Sequence, residues 1–497
     1  MRVLSGWFVL LCIFMPASAR SQELHRYVDA DAVDAYRLPH LLRVADSSES
    51  SGNLSAAAAE QSKDGEKSYI LPAFEIVGFQ VLLNLFDRNV GSEKESYRTD
   101  LHTIHHNFES DWEFDRDSFD INQIGHPYQG SVYYNLARSS GLNFYESFGY
   151  TFAGSYLWEI AGETTKPSVN DQITTSFGGT FLGEALFRTG EVFFRTADRT
   201  EAPAPTVAGA ITAPAADFNR AVLDKPVTPD LRRQHPAMYR AVELGYANNV
   251  NVFNAFDTRS IDRNLGEVGF DIVYGIPGKA GYEYRRPFDY FDLDAALSTS
   301  TNDTVDHIFV NGLIYGQDYE AGDSFRGIFG LYGNYNYLAP EIFRVGSSAL
   351  SLGSTGQWSI SPSFALQSSV LGGVGFGSGG TIHATEGGRD YHYGAVPQGS
   401  ALLRVVYANM ASFELSGQEF FVSGPSSDPS GDSNENIARV HAALTLKVSG
   451  PHAVGLQYTE SQRNAPFKSS PDQHQRVSTA GIFYTYVFGG DFAATRF

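Results

Sequence analysis

The sequence predicts a mainly β protein: an antiparallel transmembrane β-barrel of about twelve strands, preceded by a small helical domain. Three observations carry this. From about Met238 onward, apolar residues recur at every second position. The connections between these runs are polar and rich in Gly, Asp and Ser. The chain holds 27 Tyr, 36 Phe and 49 Gly, yet its mean hydropathy is only −0.22. A polytopic helical membrane protein needs several long apolar runs. A barrel strand alternates apolar and polar positions, so it reaches the same lipid at modest hydropathy.

Taken in order, the first element is a secretory signal. Met1 and Arg2 are followed by an apolar stretch to Met15, then by Ala17, Ser18 and Ala19. The apolar core is too short for a membrane span, and cleavage is expected after Ala19. The single cysteine, Cys12, lies inside this segment, and Leu11 stands where a lipoprotein signal needs a small residue. Residues 20–497 therefore hold no disulfide, cysteine-ligated zinc or cysteine nucleophile. Residues 20–68 are polar and of low complexity, and read as a disordered leader. Residues 69–89 are apolar but interrupted by Glu75 and Gln80, too mixed for a bilayer span; they fit a helix or a first strand.

Residues 69–195 read as the helical domain, with three helices after the aromatic, Asp-rich stretch 105–130. Gly141 stops the first, Asn143 can cap the second and Gly162 lies near its end. Residues 167–171 form a capping turn before the third. Gly149, Ala153 and Gly154, and then Gly179 and Gly183, place small residues where helix backbones can approach closely. The carboxylates Glu146, Glu159, Glu163 and Glu184 forbid a simple lipid-spanning helix, so the domain is expected beneath the barrel in the periplasm or inside its lumen. Residues 196–235 are rich in Pro and Ala and read as a linker.

Residues 236–497 are assigned to the barrel. Phe270, Ile272 and Tyr274 alternate with Asp271; Phe291, Leu293 and Leu297 with Asp292 and Asp294; Val440, Leu444 and Leu446 with His441 and Thr445. A last segment carries Ile482, Tyr484, Tyr486 and Phe488 on one face, and Phe497 is terminal. This resembles the C-terminal signal of outer-membrane barrels, although nine residues follow Phe488.

GHPYQG (125–130), ARSSG (137–141), WEIAGE (158–163), PSVND (167–171) and GGTFLGEALFR (178–188) occur in this order. Over roughly residues 70–195 the chain resembles the bacterial family of unknown function DUF3943. The resemblance implies an envelope protein with a helical segment and a barrel. It implies no activity.

Candidate site residues cluster in the helical segment: His126, Glu159, Glu163, Asp171 and Glu184. Carboxylates beside a histidine can run acid–base chemistry or hold a hard cation. The same residues have a plainer use. Asn170 or Asp171 can cap a helix, His126 can bond a loop backbone, Glu184 can pair with Arg188, and Glu159 and Glu163 can face water. His105 and His106 are adjacent and lack a second ligand cluster. His307, His383, His392, His441, His452 and His474 lie in the barrel without a Gly-x-Ser-x-Gly elbow. No phosphate loop, dinucleotide fingerprint or His-Glu-x-x-His pattern occurs, so no cofactor and no metal are expected. The net charge of −20 opposes a nucleic-acid partner. The expected partners are outer-membrane lipid and the barrel-assembly machinery. The expected function is a structural or transport barrel of the cell outer membrane with a helical plug or periplasmic domain; the alternative is a lipid- or glycan-modifying hydrolase using the helical polar cluster. In a pore, Asp271, Asp292 and Asp294 would favour cations.

Overall fold

The computed structural model describes residues 67–90, 94–115, 117–200, 203–223, 235–254, 263–382, 391–423, 434–466 and 472–495. The predicted signal, nearly all of the leader and His383 lie outside them.

The alternating half of the chain forms twelve strands. They are β1 (Met238–Asn254), β2 (Asn264–Tyr274), β3 (Phe291–Ser298), β4 (Val305–Ala321), β5 (Phe325–Leu338) and β6 (Phe343–Ser361). The sheet continues with β7 (Phe364–Thr381), β8 (Tyr391–Tyr407), β9 (Ala411–Val422), β10 (Glu435–Ser449), β11 (His452–Ala465) and β12 (Gln473–Val487). Each pairs antiparallel with its neighbours in sequence, and β1 pairs with β12, so the barrel is closed. Closure removes the unpaired edges that an open sheet would expose.

Turns at 322–324, 362–363, 408–410 and 450–451 define a turn end. The connections 299–304 and 339–342 join strands at the opposite, loop end. One phase of each strand points inward, including Glu243, Asp271, Asp294, Asn311, Arg404 and Gln457. The other phase carries exposed apolar residues such as Leu244, Phe270, Leu352, Val374, Leu456 and Ile482. That is the pattern of a lipid-facing wall around a polar lumen.

The lumen is filled at both ends. Near the loop end, inward-facing Phe309, Leu338, Val345, Val396, Phe420 and Ile437 pack together. At the turn end, the segment after β12 crosses the mouth. Phe492 stacks on Tyr239 with ring centroids 6.1 Å apart. Gln357, on the opposite wall, donates to the Thr495 carbonyl and hydroxyl, each at 2.6 Å. Phe492 and Ala493 join an apolar cluster with Ile276, Tyr290, Tyr332, Leu371 and Val406.

The helices are α1 (Ile70–Val90), α2 (Leu101–Glu109), α3 (His126–Ser139), α4 (Phe144–Ala161), α5 (Val169–Ile173), α6 (Gly179–Thr200), α7 (Pro203–Thr212) and α8 (Pro214–Val222). Single π-turns, Ile121–Gly125 and Thr174–Gly178, precede α3 and α6. Asn143 caps α4 in a capping box with Glu146, and Ser168 caps α5. Residues 203–222, expected as linker, are two helices. Pro203 and Pro214 each occupy a first turn, where proline's missing N–H costs nothing.

The helices are neither a plug nor a domain beneath the barrel. They pack on its outer wall. Phe181 seals against Gly333, Gln123 against Gly346 and Gly178 against Ser348. The Tyr335 hydroxyl donates to the Gln123 carbonyl at 2.5 Å, and Arg344 pairs with Asp120 at 3.5 Å. Each of these strand residues is outward in phase, alternating with the inward Asn334, Asn336, Val345 and Ser347. Tyr335 and Tyr337 are fully buried, whereas Phe329, in the same phase of β5, is 56% exposed. The difference is helix cover.

Within the layer, α3 and α6 approach at glycine. A Cβ on Gly130 would collide with the Thr175 carbonyl, and one on Gly179 would lie 2.6 Å from the Gly130 Cα. Gly183 faces the Tyr134 ring, and Gly154 faces Tyr133 and Ile76. Gly149 faces open space, so it plays no part in this packing.

Candidate functional site

Two polar clusters are buried in the helical layer, and a third lines the lumen. The upper cluster joins α3, α4 and α5 to the start of β8. Asn170 organises it. Its side-chain carbonyl accepts from the Asp115 N–H at 3.0 Å and the Ser168 hydroxyl at 2.9 Å. Its amide donates to Asp115 at 2.8 Å, Asp171 at 2.8 Å and the Tyr393 hydroxyl at 2.9 Å. Asn122 makes the matching contacts to Asp115 and Tyr391, both at 2.9 Å. His126 lies 3.5 Å from Asp171, and Glu159 accepts the Ser168 N–H at 2.8 Å.

His126, Asp171 and Glu159 are all withdrawn from water, so the cluster depends on these internal partners.

The sequence candidates thus separate. His126, Asp171 and Glu159 come together. Glu163 lies past the end of α4, where it accepts from the Trp158 indole at 2.7 Å. Glu184 belongs to the lower cluster. It receives Arg138 at 2.7 Å, Arg188 at 2.7 Å and the Tyr134 hydroxyl at 2.8 Å. Arg188 continues to Asp289 at 3.1 Å and the Pro287 carbonyl at 2.6 Å, in the connection between β2 and β3. Glu184 and Asp289 are fully buried, and this chain of charges ties the helices to the barrel. The plainer use of Glu184, pairing with Arg188 one turn away, is present, with Arg138 added.

Nothing in the upper cluster resembles a substrate site. His126, Glu159 and Asp171 are each at most 5% exposed. The Ser168 hydroxyl is engaged by Asn170 and by the N–H of Asp171, as an N-cap. The hydrolase alternative is not supported. His105 pairs with Glu109 on an exposed helix, and no group of three metal-type ligands occurs among the described residues.

In the barrel, His307, His392 and His441 face the lumen, while His452 and His474 bond Tyr484 and Asn464 on the outside. The lumen holds a cavity of about 130 Å³. Arg404 bridges Asp271 at 2.8 Å and Glu414 at 2.6 Å. His307 lies between Asp294 at 3.2 Å and Asp306 at 2.7 Å, and Arg439 also reaches Asp306. Glu243, Glu267 and Asp292 add further carboxylates. Asp271, Asp292 and Asp294 were legible as inward from their alternation. Arg439 alternates in the same way, whereas Arg404 and Glu414 sit in the inward phase of strands whose alternation is less regular.

These features define a class: a closed twelve-stranded transmembrane-type barrel with a helical layer on its outer wall. Residues 111–215, which form most of that layer, match a family described as a domain of unknown function, DUF3943. No curated protein matches the sequence significantly. Among solved structures, the NanC porin is 8% identical with a TM-score of 0.27, over 49% of this chain and 98% of that one. An outer membrane channel from Pseudomonas putida F1 is 9% identical with a TM-score of 0.27, over 50% and 95%. The KdgM porin is 7% identical with a TM-score of 0.21, over 50% and 98%.

Proposed function

We propose that the protein is an outer-membrane barrel of the transport type, closed in the folded state, whose lumen attracts cations. The observation that carries this is the lumen lining. Glu243, Glu267, Asp271, Asp292, Asp294, Asp306 and Glu414 face Arg404, Arg439, His307 and His441. Carboxylates outnumber the arginines, and a narrow low-dielectric lumen concentrates that field. The apolar outward phase supports the membrane setting. Short turns mark the periplasmic end of such barrels, and long loops the outside. The segment after β12 would then stop the periplasmic mouth.

Planar-bilayer recording tests this. The full chain should conduct weakly, and a chain that lacks residues 491–497 and carries Phe309→Ala and Phe420→Ala, which opens the apolar packing at the loop end as well, should conduct with cation selectivity. Because that deletion leaves β12 and Phe488 in place, heat-modifiable gel migration can confirm that the barrel still forms. A folded variant with all three changes that conducts no better than the full chain would remove the transport assignment.

A further inference from the structure

Two helices of the layer, α1 and α4, are inside out. On α1, the exposed positions from Ile70 to Leu85 are Ile70, Ala73, Phe74, Val77, Gly78, Val81, Leu82 and Leu85. Their spacing is that of a single helical stripe, without one polar or charged residue. The polar residues of α1 point the other way. Gln80 donates to the Tyr133 hydroxyl at 3.0 Å and the Gly154 carbonyl at 2.7 Å. Asn84 donates to the carbonyls of Tyr97 and Gly162, both at 2.8 Å. Helix α4 repeats the inversion. It exposes Tyr145, Gly149, Phe152, Ala153, Tyr156 and Leu157, and buries Ser147, Thr151, Ser155 and Glu159.

A water-facing helix has the opposite arrangement. A surface of this kind needs an apolar neighbour. α1 and α4 run side by side in the same direction, since Tyr69 meets Glu146 at one end and Asn84 meets Gly162 at the other. The stripe from Ile70 to Leu85 is about 23 Å long at the helical rise per residue. The apolar band of a barrel in the outer membrane is about 25 Å tall. Among the described residues, α1 is the one helix long and apolar enough to cross a membrane, and most of it is not buried in protein. The layer is also continuous with the barrel wall, where Phe329, Leu350 and Val374 lie exposed next to the strand positions it covers.

We infer that the outward faces of α1 and α4 contact the acyl chains of the bilayer, so that the helical layer lies in the membrane beside the barrel. The inference rests on the membrane setting proposed above. The layer replaces lipid along one sector of the wall, which explains why that sector can carry Tyr335, Tyr337, Arg344, Tyr391 and Tyr393. Each of these polar groups bonds a helix residue or a helix-linking segment rather than facing hydrocarbon.

The test uses nitroxide labels on single cysteines in the full chain carrying Cys12→Ser, refolded into phosphatidylcholine vesicles and checked by heat-modifiable migration. Val77→Cys, Val81→Cys and Phe152→Cys probe the helices, Val374→Cys and Leu456→Cys the wall, and Asp323→Cys a turn in water. Collision with oxygen, which enters lipid, is compared with collision with a water-soluble nickel chelate. The expected result is an oxygen-to-nickel ratio at the helix sites equal to that at the wall sites and severalfold above that at residue 323. Wall sites in lipid with helix sites accessible to nickel would overturn the inference and leave the barrel assignment standing. Helix sites shielded from both reagents would mean that another protein surface covers them, which also overturns it. Wall sites accessible to nickel would remove the membrane setting itself, and the inference with it.

Discussion

Replacing Glu184 by alanine should detach the helical layer from the barrel. Glu184 is fully buried and accepts Arg138, Arg188 and the Tyr134 hydroxyl. Without it, Arg188 keeps Asp289 and the Pro287 carbonyl. Arg138 keeps only the Leu142 carbonyl at 2.6 Å and the face of the Phe187 ring, 4.9 Å away. Removing one partner of a buried ion pair costs about 3–5 kcal/mol, because the remaining charge stays desolvated. The expected loss is therefore about 3–5 kcal/mol for Glu184→Ala. The double variant Glu184→Leu with Arg138→Met removes both charges and leaves Arg188 balanced by Asp289. It should recover to within about 1 kcal/mol of the parent, because an apolar pair of similar volume substitutes well for a buried ion pair. Urea unfolding in detergent, followed by the fluorescence of Trp112 and Trp158 in the layer, reads the loss. Heat-modifiable migration reports the barrel separately and should not change. A Glu184→Ala variant within about 1 kcal/mol of the parent would refute the latch. So would a double variant as unstable as the single one.

The packing of α3 on α6 predicts a contrast between glycines. Gly130→Ala should destabilise the layer by several kcal/mol, since its Cβ meets the Thr175 backbone, while Gly149→Ala should be neutral or stabilise by up to about 1 kcal/mol; the same urea titration separates them.

Much of the barrel was legible because lumen and lipid impose a period of two on every strand. The expected count of about twelve matches the closed sheet of twelve. The helices at 126–139, 144–161 and 179–200 were legible from Gly141, Asn143, Gly162 and the 167–171 turn. Two things were hidden, for physical reasons. Pro203 and Pro214 look like breakers, but a proline in a first helical turn loses no hydrogen bond. The position of the helices was hidden because Tyr335, Tyr337, Tyr391 and Tyr393 sit in the outward phase, where aromatic residues belong in any membrane barrel. Only their hydroxyl partners, from distant parts of the chain, reveal that helices cover them. Likewise Glu75 and Gln80 interrupt the apolar run in the sequence, yet they lie on the protein side of α1, and its other face is uninterrupted from Ile70 to Leu85. The candidate site was legible as a set of residues. Their division between two clusters depends on helix-to-wall contacts that no local pattern encodes.

The outer-wall placement of the helices is tested most directly by disulfide trapping in the chain carrying Cys12→Ser. Gly178 faces Ser348, with an added Cβ 2.8 Å from the Ser348 hydroxyl oxygen, while the adjacent Ser347 points into the lumen. Mild oxidation should cross-link the pair Gly178→Cys with Ser348→Cys and leave the pair Gly178→Cys with Ser347→Cys open. Cross-linking through residue 347 instead would place the helices in the lumen and contradict the account.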